Sequence, residues 1–152
     1  MPDAGVTLVE ILVVLSIMAV LAGITALALP AVNRRATLRQ EAELLATRLD
    51  IAVEHSLVSG RSSALDWNVD GYQFVERTRD GWLEHSNSNL ANWHGIPGTL
   101  GLNEPSGVTG GRVYLLSDMS LPEGKLTMLE LTSGDTRLLI RFDGASAQVI
   151  SE

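Results

Sequence analysis

GVTLVEILVVLSIMAVLAGITALAL, from Gly5 to Leu29, sets the reading of everything that follows it. From Ile11 to Leu29 the run carries no charge, and Ser16 and Thr25 are its polar residues. At ~1.5 Å per residue these positions make a helix of roughly 28 Å, close to the hydrocarbon thickness of a bilayer. A helix of a water-soluble domain hides one stripe, whereas this one is apolar all round and calls for lipid or for other helices of its kind. Glu10 breaks the pattern at the edge of the block. A carboxylate there costs on the order of 2–3 kcal/mol or more, so Glu10 is the first candidate for function.

Past the apolar run the pattern changes. Pro30 is expected to bend or weaken the helix locally. Leu38, Ala42, Leu45, Leu49 and Ala52 then recur at spacings of four and three, with Arg39, Gln40, Glu41, Glu43, Arg48, Asp50 and Glu54 on other faces. The helix is therefore predicted to continue as an amphipathic segment to about Ser59, with Gly60 as its C-terminal cap. Leu44, Ile51 and Val58 form a second column, seven apart; both columns are expected to pack against the chain's own sheet.

After Gly60 the period becomes two. Leu65, Trp67 and Val69 alternate, Asp70-Gly71 reads as a tight hairpin turn, and Tyr72 and Phe74 resume the alternation. Asp80-Gly81 turns into Trp82-Leu83. Residues 85–111, rich in Asn, Ser, Gly and Pro, read as a long irregular loop. Strands are predicted at Arg112–Leu116, Lys125–Leu131, Thr136–Phe142 and Ala145–Ile150, with turns at Pro122-Glu123-Gly124, Ser133-Gly134-Asp135 and Asp143-Gly144. The fold class is α+β: one long N-terminal helix packed on an antiparallel sheet domain.

Composition excludes several functions. The 152 residues amount to one modest domain plus the apolar helix, and the formal net charge is −7. An acidic surface argues against nucleic acid as the main partner, because DNA affinity rests largely on Lys and Arg neutralising phosphates. With no cysteine there is no disulfide or thiolate chemistry. Asp66-x-Asn68-x-Asp70-Gly71 matches the first half of a calcium loop, but the twelfth position is Arg77, with Glu76 one place short. Outward polar residues leading into a hairpin explain it better than calcium does. His55, His85 and His94 match no zinc spacing, and His85 and His94 are expected as exposed loop residues. No serine sits in a nucleophile elbow, and Gly107–Gly111 lacks the residues of a phosphate loop. Neither an active site, a metal nor a cofactor is expected.

The order Gly5, Val6, Thr7, Leu8, Val9, Glu10 followed by an apolar helix resembles the processing signal of type IV pilins and of the pseudopilins of type II secretion. The helix end EAELLATRLDIAVEHSLVSGRSSAL, Tyr72-x-Phe74, Trp82 and the run from Leu126 to Val149 are similar to the H-type minor pseudopilins. The resemblance implies cleavage after Gly5 by a prepilin peptidase, methylation of the new N-terminus at Val6, and an assembly role for Glu10, fifth in the mature chain. It implies residues 1–5 as leader, 6–29 as transmembrane assembly helix, 30–60 as its amphipathic continuation and 61–152 as a periplasmic head, anchored in the inner membrane. Partners would be other minor pseudopilins, the major pseudopilin and the peptidase/methyltransferase, with secreted substrate proteins as further candidates. The alternatives are a minor pilin of a type IV pilus, including the DNA-uptake type, and a membrane-anchored periplasmic binding module or enzyme. Ala26-Leu27-Ala28 also fits an ordinary signal-peptidase site, but such signals have a basic start, and this chain has Asp3 and Glu10 there. Arg34, Arg35 and Arg39 would by charge alone place the C-terminal part in the cytoplasm; the signal implies the opposite orientation.

Overall fold

The structure, a computed structural model, describes residues 8–121 and 124–150, and side chains within them outside 24–33. It divides into two compact units, Met1–Arg34 and Arg35–Glu152. Helix α1 runs Leu8–Ser59 and includes Pro30. Gly60, at φ +67°, ends it as expected: the left-handed conformation there costs glycine little.

In the second unit, α1 buries Leu38, Ala42, Leu45, Leu49 and Ala52 completely, as the spacing predicts. Ser56 continues the stripe along its centre line, and Ala46 and Val53, also buried, widen it on one side. That widening displaces the expected second column. Ile51 and Val58 lie on the far side of the helix, roughly 150° or more from the centre of the stripe at ~100° per residue. They are 41% and 85% exposed, and Leu44 is half-buried. Ile51 and Val58 therefore do not pack on the chain's own sheet.

Two antiparallel sheets, where the sequence suggested one, cover the buried stripe. The first contains β1 (Ser63–Asn68), β2 (Gly71–Thr78), β3 (Gly81–Glu84) and β6 (Gly110–Leu115) in the order β3-β2-β1-β6, and β4 (His94–Gly95) pairs with β2. The second has the order β5-β7-β8-β9, from β5 (Gly101–Asn103), β7 (Thr127–Ser133), β8 (Thr136–Phe142) and β9 (Ala147–Ile150). Cross-strand pairs on the inner faces are apolar: Leu65 opposite both Phe74 and Val113, Leu129 opposite Ile140, Leu131 opposite Leu138. These side chains and the α1 stripe form one core, where a fully buried leucine contributes about 1.5–3 kcal/mol.

Three expectations shift. The β1–β2 turn is Val69-Asp70, one residue earlier than read, because Asn68 Oδ1 accepts the N–H groups of Asp70 (2.8 Å) and Gly71 (3.1 Å). Gly71 serves another purpose: a Cβ there would lie 2.3 Å from the His94 carbonyl oxygen and 2.9 Å from the Trp93 ring, so its bareness lets β4 close on β2. Residues 85–111 are not an irregular loop. They contain the short helix α2 (Ser88–Ala91), β4, β5 and the start of β6, with Leu90, Ile96, Leu100 and Leu102 in the core. Finally, β7 and β9 each begin two residues later than read.

Candidate functional site

In the first unit, the side chains described from Leu8 to Gly23 are exposed on every face, with the large apolar residues between 46% (Val14) and 81% (Leu8) open. Ser16 does not interrupt this surface, since its hydroxyl donates to the Leu12 carbonyl at 2.8 Å. Glu10 is the acidic residue of the first turn of α1, exposed and close to the positive end of the helix dipole. Gly5 and Val6, the expected processing residues, lie outside the described residues. Among the described residues no helix is long and apolar enough to cross a membrane. The apolar run with described side chains, Leu8 to Gly23, has sixteen residues, below the ~17–25 of a spanning helix. The rest of the expected span falls in 24–29.

A polar cluster closes the other end of α1. Ser56 on α1, Ser63 at the start of β1 and His85 just after β3 are all buried. His85 Nδ1 accepts the Asn87 backbone N–H at 3.0 Å, which puts the ring proton on Nε2. That N–H donates to Ser63 Oγ, 3.2 Å away. The single hydroxyl hydrogen of Ser56 goes to the Ala52 carbonyl at 2.8 Å, so the Ser63 hydroxyl is the donor in its 2.8 Å contact with Ser56. Each hydrogen is used once, and the chain ties α1 to β1 and to the segment that follows β3.

The charges of the cluster fit this. Burial pushes the His85 imidazole below its ordinary range, the neighbouring His55 adds to that, and Glu76 opposes it. The Glu76 side chain is 2% exposed; its Oε2 accepts the Ser86 N–H at 3.3 Å, and Arg61 Nε stands 3.2 Å from Oε1. Burial raises that carboxyl, but the Ser86 hydrogen bonds and the Arg61 and His85 charges outweigh it and hold it below the usual carboxylate range. A serine beside a histidine suggests a nucleophilic triad, but in a triad Nδ1 donates to a carboxylate, and here it accepts from the backbone. Ser63 is fully buried. The geometry describes a structural lock.

The other residues singled out by sequence are engaged elsewhere. His94 Nε2 contacts Glu41 Oε2 at 2.9 Å, and its ring packs 5.0 Å from Tyr72, so neither His85 nor His94 is an exposed loop residue. Burial pushes the Tyr72 hydroxyl up to about 12, against the Arg48 guanidinium that lies 5.7 Å from its ring centre. Of the calcium-like residues, Asp66 pairs in a fork with Arg112, whose Nη2 donates to Oδ2 at 2.7 Å, and Asn68 caps the turn. Among the described residues no group of three or more His, Asp or Glu is placed to hold a metal ion. Sequence reasoning missed the lock because Ser56, Ser63 and His85 come from three separate segments, and no local period marks their meeting.

Residues 1–26 match the prokaryotic N-terminal methylation motif. No curated protein matches the sequence. Among solved structures, the minor pseudopilin EpsH from the type 2 secretion system of Vibrio cholerae superposes with a TM-score of 0.62 at 17% identity, over 74% of this chain and 95% of that one. The type IV minor pilin FimU of Pseudomonas aeruginosa superposes with a TM-score of 0.57 at 18% identity, over 78% of this chain and 90% of that one; a second crystal form gives 0.54. The fold is that of the type IV pilin-like proteins, a long N-terminal helix followed by an antiparallel sheet head. The chain begins with a prokaryotic N-terminal methylation motif and is similar in its fold to a minor pseudopilin and to a type IV minor pilin.

Proposed function

We propose that the chain is a structural subunit of a type II secretion system, a minor pseudopilin at or near the tip of a short periplasmic filament, where it supports the start of assembly and protein secretion. The observation that carries this reading is the all-round apolar surface of Leu8–Gly23, broken by Glu10, inside a methylation motif. In this account a prepilin peptidase cuts after Gly5, Val6 is methylated, and the helix anchors the chain in the inner membrane with its head in the periplasm. The mature amine of Val6 and the Glu10 carboxylate are four residues apart, one helical turn. In a bundle of such helices Glu10 also reaches the amine of a neighbour, and pairing relieves the cost of a carboxylate among apolar side chains. The subunit has no catalytic role; its partners are the other minor pseudopilins and the major pseudopilin.

The second reading is a minor pilin of a type IV pilus, supported by the likeness to FimU. The DNA-uptake variant is disfavoured by the net charge of −7. Glu10→Ala tests the assembly role. The variant is expected to be inserted and cleaved normally but to fall at least ~10-fold in co-purification with its partner pseudopilins, the loss that ~1.4 kcal/mol of binding produces. Wild-type recovery with the partners would remove Glu10 from the mechanism.

A further inference from the structure

The head contains a cleft of about 500 Å³ lined by Arg112, Val113 and Tyr114 of β6, by Lys125–Met128 at the start of β7 and by Glu104–Ser106. Two strand edges border it. Strand β6 ends the first sheet and pairs with β1 alone among the described residues. Strand β7 pairs with β5 over Glu130–Thr132 only, so Thr127, Met128 and Leu129 have a ladder partner on the β8 side alone. The cleft therefore separates two sheets whose main-chain hydrogen-bonding edges stop on either side of it. At ~3.4 Å rise, ~4.8 Å strand spacing and ~10 Å layer thickness, one strand residue fills roughly 160 Å³. A space of 500 Å³ holds about three such residues, matching the three β6 residues that line it.

We propose that this cleft is a docking site for an extended segment of another polypeptide chain, which adds as a strand to β6 and reaches across toward β7. An exposed strand edge offers alternating N–H and C=O groups, and the ligand that satisfies such a row is another extended backbone. Side chains of β6 alternate, with Val113 buried toward the core and Arg112 and Tyr114 facing out beside Trp82. An incoming strand is thus required to alternate as well, apolar on the Val113 side and polar on the Arg112 side. Leu126, 53% exposed at the rim, supplies apolar surface for it. A second copy of this chain is a poor donor, because copies carrying −7 each repel. This site is separate from the N-terminal helix and does not depend on the role proposed for Glu10.

The test uses the full chain in detergent, screened against a displayed library of random eight-residue peptides. Selected peptides are expected to show an apolar residue at every second position and to slow amide exchange at 110–115 and 127–129 at least ~10-fold. Methylating the peptide's amides at one alternate set should abolish binding, while the other set is tolerated. The chain lacks cysteine, so Leu126→Cys coupled to a bulky maleimide fills the cleft, and it should abolish binding without unfolding the head. Failure to select any peptide, protection elsewhere on the head, or tolerance of both methylation sets would overturn the proposal. So would protection of 110–115 in the peptide-free chain that grows with its concentration, which would identify a second copy as the occupant.

Discussion

The two stretches of α1 with described side chains follow different rules. Leu8–Gly23 has no buried face, and its leucines, isoleucines and valines stand open on all sides. From Leu38 to Ser56 the same helix hides a single stripe, in which Leu38, Leu45 and Leu49 have no exposure at all. Both segments are helical although the first is richer in β-branched residues; what sets them apart is where their side chains are satisfied. The second stretch is satisfied within its own chain, and the first requires something the chain does not supply. In the proposed function, an assembly or a membrane covers the first stretch.

The sharpest way to break this contrast is to remove the same kind of atoms from each stretch. Leu45→Ala leaves a cavity in the head core and should cost about 2–5 kcal/mol of head stability by denaturant unfolding. Leu12→Ala, at a position 59% exposed, should leave the unfolding midpoint of the head unchanged. Equal losses would mean that the two stretches are not energetically distinct. A smaller effect tests how tightly the head is specified. Gly71→Ala drives a methyl into the His94 carbonyl and the Trp93 ring, so it should cost about 1–3 kcal/mol and detach β4 from β2, seen as faster exchange at 94–96.

The smallest expected effect comes from the lock at the buried end of α1. His85 is held below the ordinary histidine value of 6.5, so as pH falls the unfolded chain takes up the proton first. Its contribution to stability is therefore complete above that value and declines as pH drops through it, by at most ~1.4 kcal/mol per pH unit for one proton. Glu76, also held low, keeps its contribution until the pH falls below the ordinary carboxylate value of 4.5. Thermal unfolding of the wild-type head between pH 7 and 5 should show a decline that His85→Gln flattens. An unchanged slope in the variant would assign the decline to other groups.

Period and punctuation made much of this legible in advance. The amphipathic stripe, the helix end at Gly60 and the bounds of β8 follow from spacing and from one glycine, and β1 and β2 were visible as alternation. What escaped depends on contacts distant in sequence. Strands of two and three residues such as β4 and β5 are too short to carry a period, so 85–111 read as a loop. His85 meets Ser63 and His55, 22 and 30 residues away in sequence, and Gly71 is explained by a backbone that arrives from residue 94. The column through Ile51 and Val58 had the right spacing for a core, but the stripe widened toward Ala46 and Val53 and left it outside. At the N-terminus the order of residues is informative where geometry is not, because the role proposed for Gly5 and Val6 is recognition by an enzyme rather than a part in the fold.

The central claim is that the N-terminal helix is processed for assembly, and intact-mass measurement of the membrane-extracted protein tests it most directly. Co-expressed with its peptidase, the chain should lose Met1–Gly5 and carry one added methyl group on Val6, while a bulky replacement at Gly5 should leave the precursor uncut. A wild-type chain with its N-terminus intact, or one cut after Ala28, would contradict the account.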